Sequence, residues 1–353
     1  MFHLLHVAAV DRLTDDAVAV TFDVPPGLAR EYAFAAGQSL TLRRMAGGVE
    51  HRRSYSICAP VGSPLRIGVR EIPGGLFSSW LVREVRPGDQ IEVQVPSGSL
   101  RADPAAGGRH LMIAAGSGIT PMLSIAATVL PRAGSEVRLV YGNRASGTVM
   151  FAEELGDLKN RYCARFQLVH VMSREPRDVP LLSGRLDAGR LRRLLSSVVP
   201  VADVDHAWLC GPLPLVTGAR EVLDELGVPR SRVHVELFYV DEPPPPVLRA
   251  GPGVTGAGQG SESSDVTIVL DGRSSTSRMP RAAAILDSAQ ATRADLPFAC
   301  KGGVCGTCRA RVTSGEVTMT RNYALSEDEV TDGFVLTCQA RPVSGAVTVD
   351  FDT

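Results

Sequence analysis

The sequence predicts three domains in series: an all-β barrel, an α/β domain on a parallel sheet, and a small α+β domain. Three observations carry this. Residues 1–103 hold short alternating or apolar runs (AVAVTF, QSLTLRR, SYSIC, LRIGVRE, DQIEVQV) parted by PPG, GG and RPGD turns, the spacing of a barrel or sandwich. Residues 104–240 alternate buried-type strands (HLMIAA, EVRLVYG, RFQLVHV, HAWLCG, VHVELF) with helical stretches (TPMLSIAATVL, FAEELGDLKNRY, GRLRRLLSSV, LVTGAREVLDELG), which implies a parallel sheet covered on both faces. Residues 241–264, DEPPPPVLRAGPGVTGAGQGSESS, read as a spacer, stiff in its proline half and flexible in its Gly/Ser half. After it, residues 265–353 carry VTIVLDG, a helix around AAAILDSAQA, a cysteine loop, and the strands RARVTSGEVTM and GAVTVDF.

The composition excludes several classes. The chain has 353 residues, 44% of them hydrophobic, and a formal net charge of −1. It can build ordinary cores, and no global field recruits nucleic acid or a membrane. The 37 basic residues include only two lysines, Lys159 and Lys301, a bias expected of a GC-rich genome. The start MFHLLHVAAVDRLTDD lacks the basic flank and long apolar run of a secretory signal, and no apolar stretch is long enough to span a bilayer. A cytoplasmic location is expected. There disulfides are rare, and seven cysteines is an odd number for a disulfide framework.

The chemistry is densest in CKGGVCGTCRARV, which starts at Cys300. A disulfide knot, a zinc site and an iron–sulfur cluster compete for it. With Cys338 the pattern is C-x4-C-x2-C-x29-C over Cys300, Cys305, Cys308 and Cys338, the plant-type [2Fe–2S] spacing. Zinc sites of four thiolates prefer two short knuckles. Gly302, Gly303 and Gly306 let the backbone approach bridging sulfides. Ser326 and Glu329 form the signature of a capping box, a structural reading of the acidic SEDEV run. Cys58 and Cys163 carry no motif and read as packing residues. The domain resembles the plant-type ferredoxins over its whole length, which implies a β-grasp fold.

A one-electron carrier needs a donor. Arg53, Ser54, Tyr55 and Ser56 are followed by Gly74, Gly75, Leu76, Phe77 and Ser78. An arginine fork suits a flavin phosphate, Tyr55 offers a flat face to a ring, and backbone N–H groups at a helix start suit a phosphate. His51 and Arg52 read as exposed polar residues. Further on, LMIAAGSGITP runs a strand into a turn at Gly116, Ser117 and Gly118, and Thr120 and Pro121 begin a helix. Pyrophosphate oxygens can rest on those N–H groups. These motifs resemble R-x-Y-[ST], G-x-x-S and G-x-G-x-T-P of the ferredoxin–NADP reductase family of flavoproteins. The resemblance implies a flavin, FAD rather than FMN, on the first barrel, with Val69 among its neighbours, and a Rossmann-like nicotinamide domain behind it. It assigns Cys210, Gly211 and Pro212 to the nicotinamide turn, and Glu236 and Phe238 to the flavin ring edge. Tyr239 is the alternative to Phe238, since alternation alone does not set the register. Leu215 stands where the family often has methionine.

Three such modules make a wire, from nicotinamide through flavin to cluster. Ser173 and Arg174, with Arg144 nearby, match the family's Ser-Arg pair for a 2′-phosphate, so NADPH is expected over NADH. The segments RSYSICAP, GGLFSSW, AAGSGITPMLSIA, YGNR, FAEELGDLKNRY and MTRNYALSEDEVTDGFVLTCQARP narrow the resemblance to the reductase components of phenylacetyl-CoA epoxidases. The implied partner is a di-iron oxygenase. The reductases of 3-ketosteroid 9α-hydroxylases are the alternative within the class, and a non-catalytic iron–sulfur carrier or sensor the alternative outside it. Lys301, Arg309 and Arg311 flank the cysteine loop and predict a basic rim that docks on an acidic face. The spacer is expected to let the cluster domain shuttle.

Overall fold

The computed structural model describes residues 1–103, 105, 107–199, 201, 203–238, 248–250, 263–293 and 295–353. The chain divides into two compact units, Met1–Tyr239 and Val240–Thr353.

The first unit begins with an antiparallel sheet of β1 (Phe2–Thr14), β2 (Ala17–Asp23), β3 (Ser39–Ala46), β4 (Val49–Ser56), β5 (Arg66–Arg70) and β6 (Gln90–Gln94), with α1 (Leu76–Arg83) following β5. Its strand order is β4-β3-β6-β1-β2-β5. A bridge between Ile57 and Ile67 joins the two ends and closes the barrel. The two-residue period of β2 divides its side chains between two cores. Val18 and Val20 point into the barrel core beside Leu40, Ile67 and Val93. Ala17 and Ala19 point outward into the core shared with Met112, Ile119 and Phe151. Small outward residues let the next layer come close. Gly68 on β5 takes this furthest: a Cβ there would lie 2.5 Å from Thr120 and 2.8 Å from Phe151.

That next layer is the parallel sheet β7 (Arg109–Ala115), β8 (Glu136–Asn143), β9 (Phe166–Met172), β10 (His206–Gly211) and β11 (Val233–Leu237). The connecting helices are α2 (Ile119–Val129), α3 (Ala152–Arg161), α4 (Ala188–Ser197) and α5 (Leu213–Glu225). The order β11-β10-β7-β8-β9 reverses direction between β7 and β10. Ligands of open α/β sheets sit at that switch point. Here the turn after β7 meets the turn after β10 so closely that a Cβ on Gly118 would lie 2.2 Å from the Cys210 carbonyl oxygen.

The second unit contains β12 (Leu248–Ala250), β13 (Ser263–Leu270), β14 (Arg273–Pro280), α6 (Ile285–Ala289), β15 (Arg309–Ser314), β16 (Val317–Met319), α7 (Glu327–Thr331), β17 (Phe334–Leu336), β18 (Ala340–Pro342) and β19 (Ala346–Asp350). The main sheet runs β14-β13-β19-β15-β17, and a second sheet runs β12-β16-β18. Asp271 and Gly272, both at positive φ, make the two-residue hairpin turn between β13 and β14. Val266, Ile268, Leu286, Val335 and Val349 form the core. Most of the expected spacer 241–264 lies outside the described residues. Within it, β12 pairs antiparallel with β16 and β13 begins at Ser263. An unpaired edge of β16 would invite such an addition.

Candidate functional site

Two centres emerge, one in each unit. In the first unit, a cleft of about 930 Å³ opens at the switch point. Gly116, Ser117, Gly211, Pro212, Ser173, Arg144 and Phe238 line it, together with Asp16, Arg70 and Arg185. Gly116 has φ +55° and carries the first turn. A side chain there would meet the Arg70 guanidinium at 3.1 Å. Its carbonyl accepts from the Tyr141 hydroxyl at 2.8 Å, and Thr120 closes the turn on the Ser117 carbonyl at 3.0 Å. The helix α2 starts at Ile119, just ahead of Thr120 and Pro121, and no side chain caps it. The Ile119 N–H is nonetheless already turned onto the Gly116 and Ser117 carbonyls and Pro121 has none, so an anion here would rely on the other N–H groups of the turn.

The flavin motifs fall on β4 and α1. Arg53 is exposed and its guanidinium bonds only its neighbour's carbonyl among the bonds described, at 2.7 Å. Tyr55 packs 6.1 Å from Phe77, which meets Trp80 edge-on at 5.5 Å. Gly74 has φ +73°, and a Cβ on Gly75 would strike Ser78 Oγ at 2.7 Å and the Ile72 carbonyl at 2.8 Å. Ser78 Oγ accepts from the Ile72 N–H at 3.0 Å. The first turn of α1, opening at Leu76, carries no side-chain cap. The open space at Gly74, where a Cβ would meet nothing within 4 Å, and the uncapped start of α1 fit a dinucleotide's phosphates, and Arg53 on β4 presents an exposed guanidinium.

Ser56 donates to a carboxylate oxygen of Glu236 at 2.9 Å, across 180 residues of sequence. Glu236 pairs in register with Cys210 on the neighbouring strand. Burial pushes the Glu236 carboxyl up to about 7, against the Ser56 hydrogen bond. Burial, then the Glu236 charge, pushes the Cys210 thiol well above its ordinary value. One group that exchanges protons near neutrality thus sits beside one that stays protonated.

Several expectations change. Val69 is wholly buried in the barrel core, which leaves its backbone, not its side chain, for the expected place near the flavin. Arg174 is exposed at the end of β9, its N–H bonded to the Arg144 carbonyl at 2.7 Å, while the cleft is lined by Arg144 and Arg185. Arg52 is not an exposed polar residue: it is buried, paired with Glu50 at 2.7 Å and stacked on Phe2. Cys58 is buried as expected, but Cys163 is exposed. Tyr239 lies outside the described residues. Asp16, Arg70 and Arg185 escaped sequence reading because no local pattern marks a residue whose partner lies on another element.

In the second unit, the four thiols fall into two pairs, Cys300 with Cys305 and Cys308 with Cys338. Among the described residues no three His, Cys, Asp or Glu side chains gather as a set that could hold one ion. Two pairs suit two irons held by two thiolates each. The surroundings suit thiolates. The Cys300 thiol is pulled down to about 5, first by its bond from Cys305 and, against burial, by the N–H groups of Gly302, Val304 and Cys305. Thr307 donates to Cys305 Sγ at 3.1 Å. Gln339 reaches Cys338 Sγ at 3.6 Å and the Lys301 carbonyl at 2.9 Å, tying the last ligand to the loop. Gly303 and Gly306 take positive φ, as does Lys301, whereas Gly302 does not. Ser326 and Glu329 form the expected capping box, at 2.9 and 3.2 Å. The basic rim is largely neutralised: Lys301 pairs with Asp287 at 2.9 Å, Arg309 with Glu329 at 3.2 Å, and Arg311 bonds the Asp332 carbonyl.

The comparisons with known proteins agree with both centres. Residues 5–101 match the oxidoreductase FAD-binding domain, 112–221 the oxidoreductase NAD-binding domain, and 268–343 the 2Fe-2S iron-sulfur cluster binding domain. The chain is 42% identical to one of the subunits of the 1,2-phenylacetyl-CoA epoxidase of Escherichia coli K12, over 99% of this chain and 98% of that protein. It is 34% identical to the ferredoxin reductase component of the 3-ketosteroid-9-alpha-monooxygenase of Mycobacterium tuberculosis, over 99% and 95%. A solved phthalate dioxygenase reductase shares the fold, with a TM-score of 0.60 at 22% identity over 99% of this chain and 98% of that one.

Proposed function

Since the chain belongs to the family of FAD-, NAD- and [2Fe–2S]-binding reductase components of oxygenases, we propose that it draws electrons from NADPH and delivers them to an oxygenase that epoxidises phenylacetyl-CoA. The observation that carries the choice of oxygenase is the 42% identity over both full chains to an epoxidase subunit, against 34% to a steroid monooxygenase component. Bound FAD would supply acceptance of a hydride from NAD(P)H, and a bound [2Fe–2S] cluster one-electron relay to the oxygenase.

The chain's own residues bind, orient and manage protons. Arg53 and the N–H groups of the first turn of α1 would hold the FAD phosphates, and Tyr55 would support the ring. The Gly116–Gly118 turn and Arg70 would hold the nucleotide pyrophosphate. Ser56 and Glu236 hold a proton where a hydride acceptor's charge must be balanced. Glu236, near 7, can exchange it at neutral pH. Cys300, Cys305, Cys308 and Cys338 would bind the cluster. The preference for NADPH is supported by Ser173, Arg144 and Arg185 in the cleft, the residue types that suit a 2′-phosphate, although the acids Asp16, Glu71 and Asp187 line it too.

The test mixes the holoprotein with NADPH, oxygen and either the epoxidase with phenylacetyl-CoA or a 3-ketosteroid hydroxylase with its substrate. NADPH oxidation that depends on phenylacetyl-CoA supports the proposal. Coupling in the steroid mixture alone overturns it.

A further inference from the structure

At the mouth of the cleft, three charged side chains from two layers meet. Asp16 sits at the tip of the β1–β2 hairpin. It ion-pairs with Arg144, just past the end of β8, and lies 3.4 Å from Arg70 at the end of β5. The Thr14 hydroxyl donates to its carboxylate at 2.8 Å, and the Glu71 N–H donates to its carbonyl at 2.7 Å. Side chain and backbone are therefore both fixed. Burial raises the Asp16 carboxyl, but Thr14, Arg70 and Arg144 together hold it below its ordinary value, so it is ionised at neutral pH. Arg70 also donates to the Thr148 carbonyl. All three charged groups line the cleft that holds Gly116 and Ser117. Arg144 lies beside the Ser-Arg pair: its carbonyl accepts from the Arg174 N–H, and the Ser173 N–H bonds the Asn143 carbonyl at 2.8 Å, where the NADPH reading would put the adenosine ribose.

We propose that Asp16 is a specificity-determining residue of the nucleotide site. Its carboxylate occupies Arg144 and Arg70 before a nucleotide binds, an incoming phosphate displaces it, and its charge limits how strongly the site prefers a 2′-phosphorylated nucleotide. This rests on the NADPH reading given above. The physical argument is competition. Arg144 already gives one N–H to the carboxylate, and Arg70 stands within ion-pair distance of it, so both cations are partly neutralised before a phosphate arrives. Two anions near one cation also repel each other, more so when the second is a phosphate dianion. A nucleotide with the 2′-phosphate meets this penalty in full. One without it meets only the share felt through Arg70. Asp16→Asn removes the charge and keeps the shape and the Thr14 partner.

The test is calorimetric titration of the full-length, flavin-loaded protein with 2′,5′-ADP and with 5′-AMP. These fragments differ only in the 2′-phosphate. Asp16→Asn is expected to tighten 2′,5′-ADP about tenfold, the scale of one charge-assisted contact, and 5′-AMP by less than about threefold. In an Arg144→Gln background the gain on 2′,5′-ADP should shrink to that on 5′-AMP. Thermal unfolding checks that each variant is folded, and Asp16→Ser repeats the test if Asp16→Asn is not. Unchanged or weaker binding of 2′,5′-ADP overturns the proposal and leaves Asp16 as a clamp between layers. Equal gains on both fragments overturn the specificity claim. A wild type that binds both fragments alike defeats the NADPH reading, yet a preference that emerges in Asp16→Asn would still uphold the role of Asp16.

Discussion

Glu236→Gln isolates the proton-exchanging group that Ser56 holds on β11. Burial lifts the carboxyl from 4.5 to about 7. Its folded value thus lies above its unfolded one. Below about 4.5 the acid is protonated in both states and no penalty exists. As the pH rises, the unfolded chain ionises first, and the folded state is penalised until it too ionises near 7. At about 1.36 kcal/mol per pH unit, the gap amounts to about 3 kcal/mol. Glu236 is only half-buried, and solvent reduces this to about 1–3 kcal/mol. Glutamine keeps an acceptor for Ser56 and cannot ionise. The assay is urea unfolding of the flavin-free protein, wild type against Glu236→Gln, between pH 4.5 and 8.5. The variant's advantage should be near zero at pH 4.5, grow through pH 7 and then level off. A difference that does not vary with pH would refute the reasoning, and one that shrinks with rising pH would reverse it.

Cys338→Ala should abolish the visible iron–sulfur absorption while leaving flavin reduction by the nicotinamide intact; a full cluster signal would show that Cys338 is not a ligand. Gly68→Ala forces a methyl within 2.5 Å of Thr120 and should cost about 1–3 kcal/mol in thermal unfolding, whereas a neutral effect would mean the two layers part easily. His110, pushed down to about 4 mainly by burial and aided by His206 and His234, accepts from the Trp208 indole N–H at 3.2 Å. Its depressed value means stability is lost as pH falls from 6.5 towards 4, by about 3 kcal/mol at most; His110→Gln should flatten that limb of a urea titration. Arg185, which lines the cleft, gives the matching test: Arg185→Ala should raise the KM for NADPH about tenfold and spare NADH, and equal use of both by the wild type would remove the basis for it.

The elements were legible because hydrophobic period announces them. The run AVAVTF marked a strand but not which face of β2 meets which core, because valines and alanines alike are buried. The four cysteines were legible as a set, since their spacing encodes a loop wrapped around a cluster. Contacts between distant segments were not. Asp16 and Arg144 are 128 residues apart, and nothing in TDDA or YGNR marks them as partners. Arg52 looked exposed because HRRS is locally polar, yet Glu50 and Phe2 supply a charge and a ring that make its burial tolerable. The same blindness produced the basic rim. Lys301 and Arg309 count as charges in a sequence, while the structure sets an acid against each. Salt should therefore slow docking less than a bare basic rim would imply.

The most direct test of the account is an anaerobic single turnover. Holoprotein is mixed with one equivalent of NADPH in a stopped-flow spectrometer, and the epoxidase with phenylacetyl-CoA is added in a second mix. The account predicts that flavin absorbance falls first, cluster absorbance follows, and both recover when the oxygenase arrives. A cluster that stays oxidised while the flavin is reduced, or that does not return its electrons to the epoxidase, would contradict it.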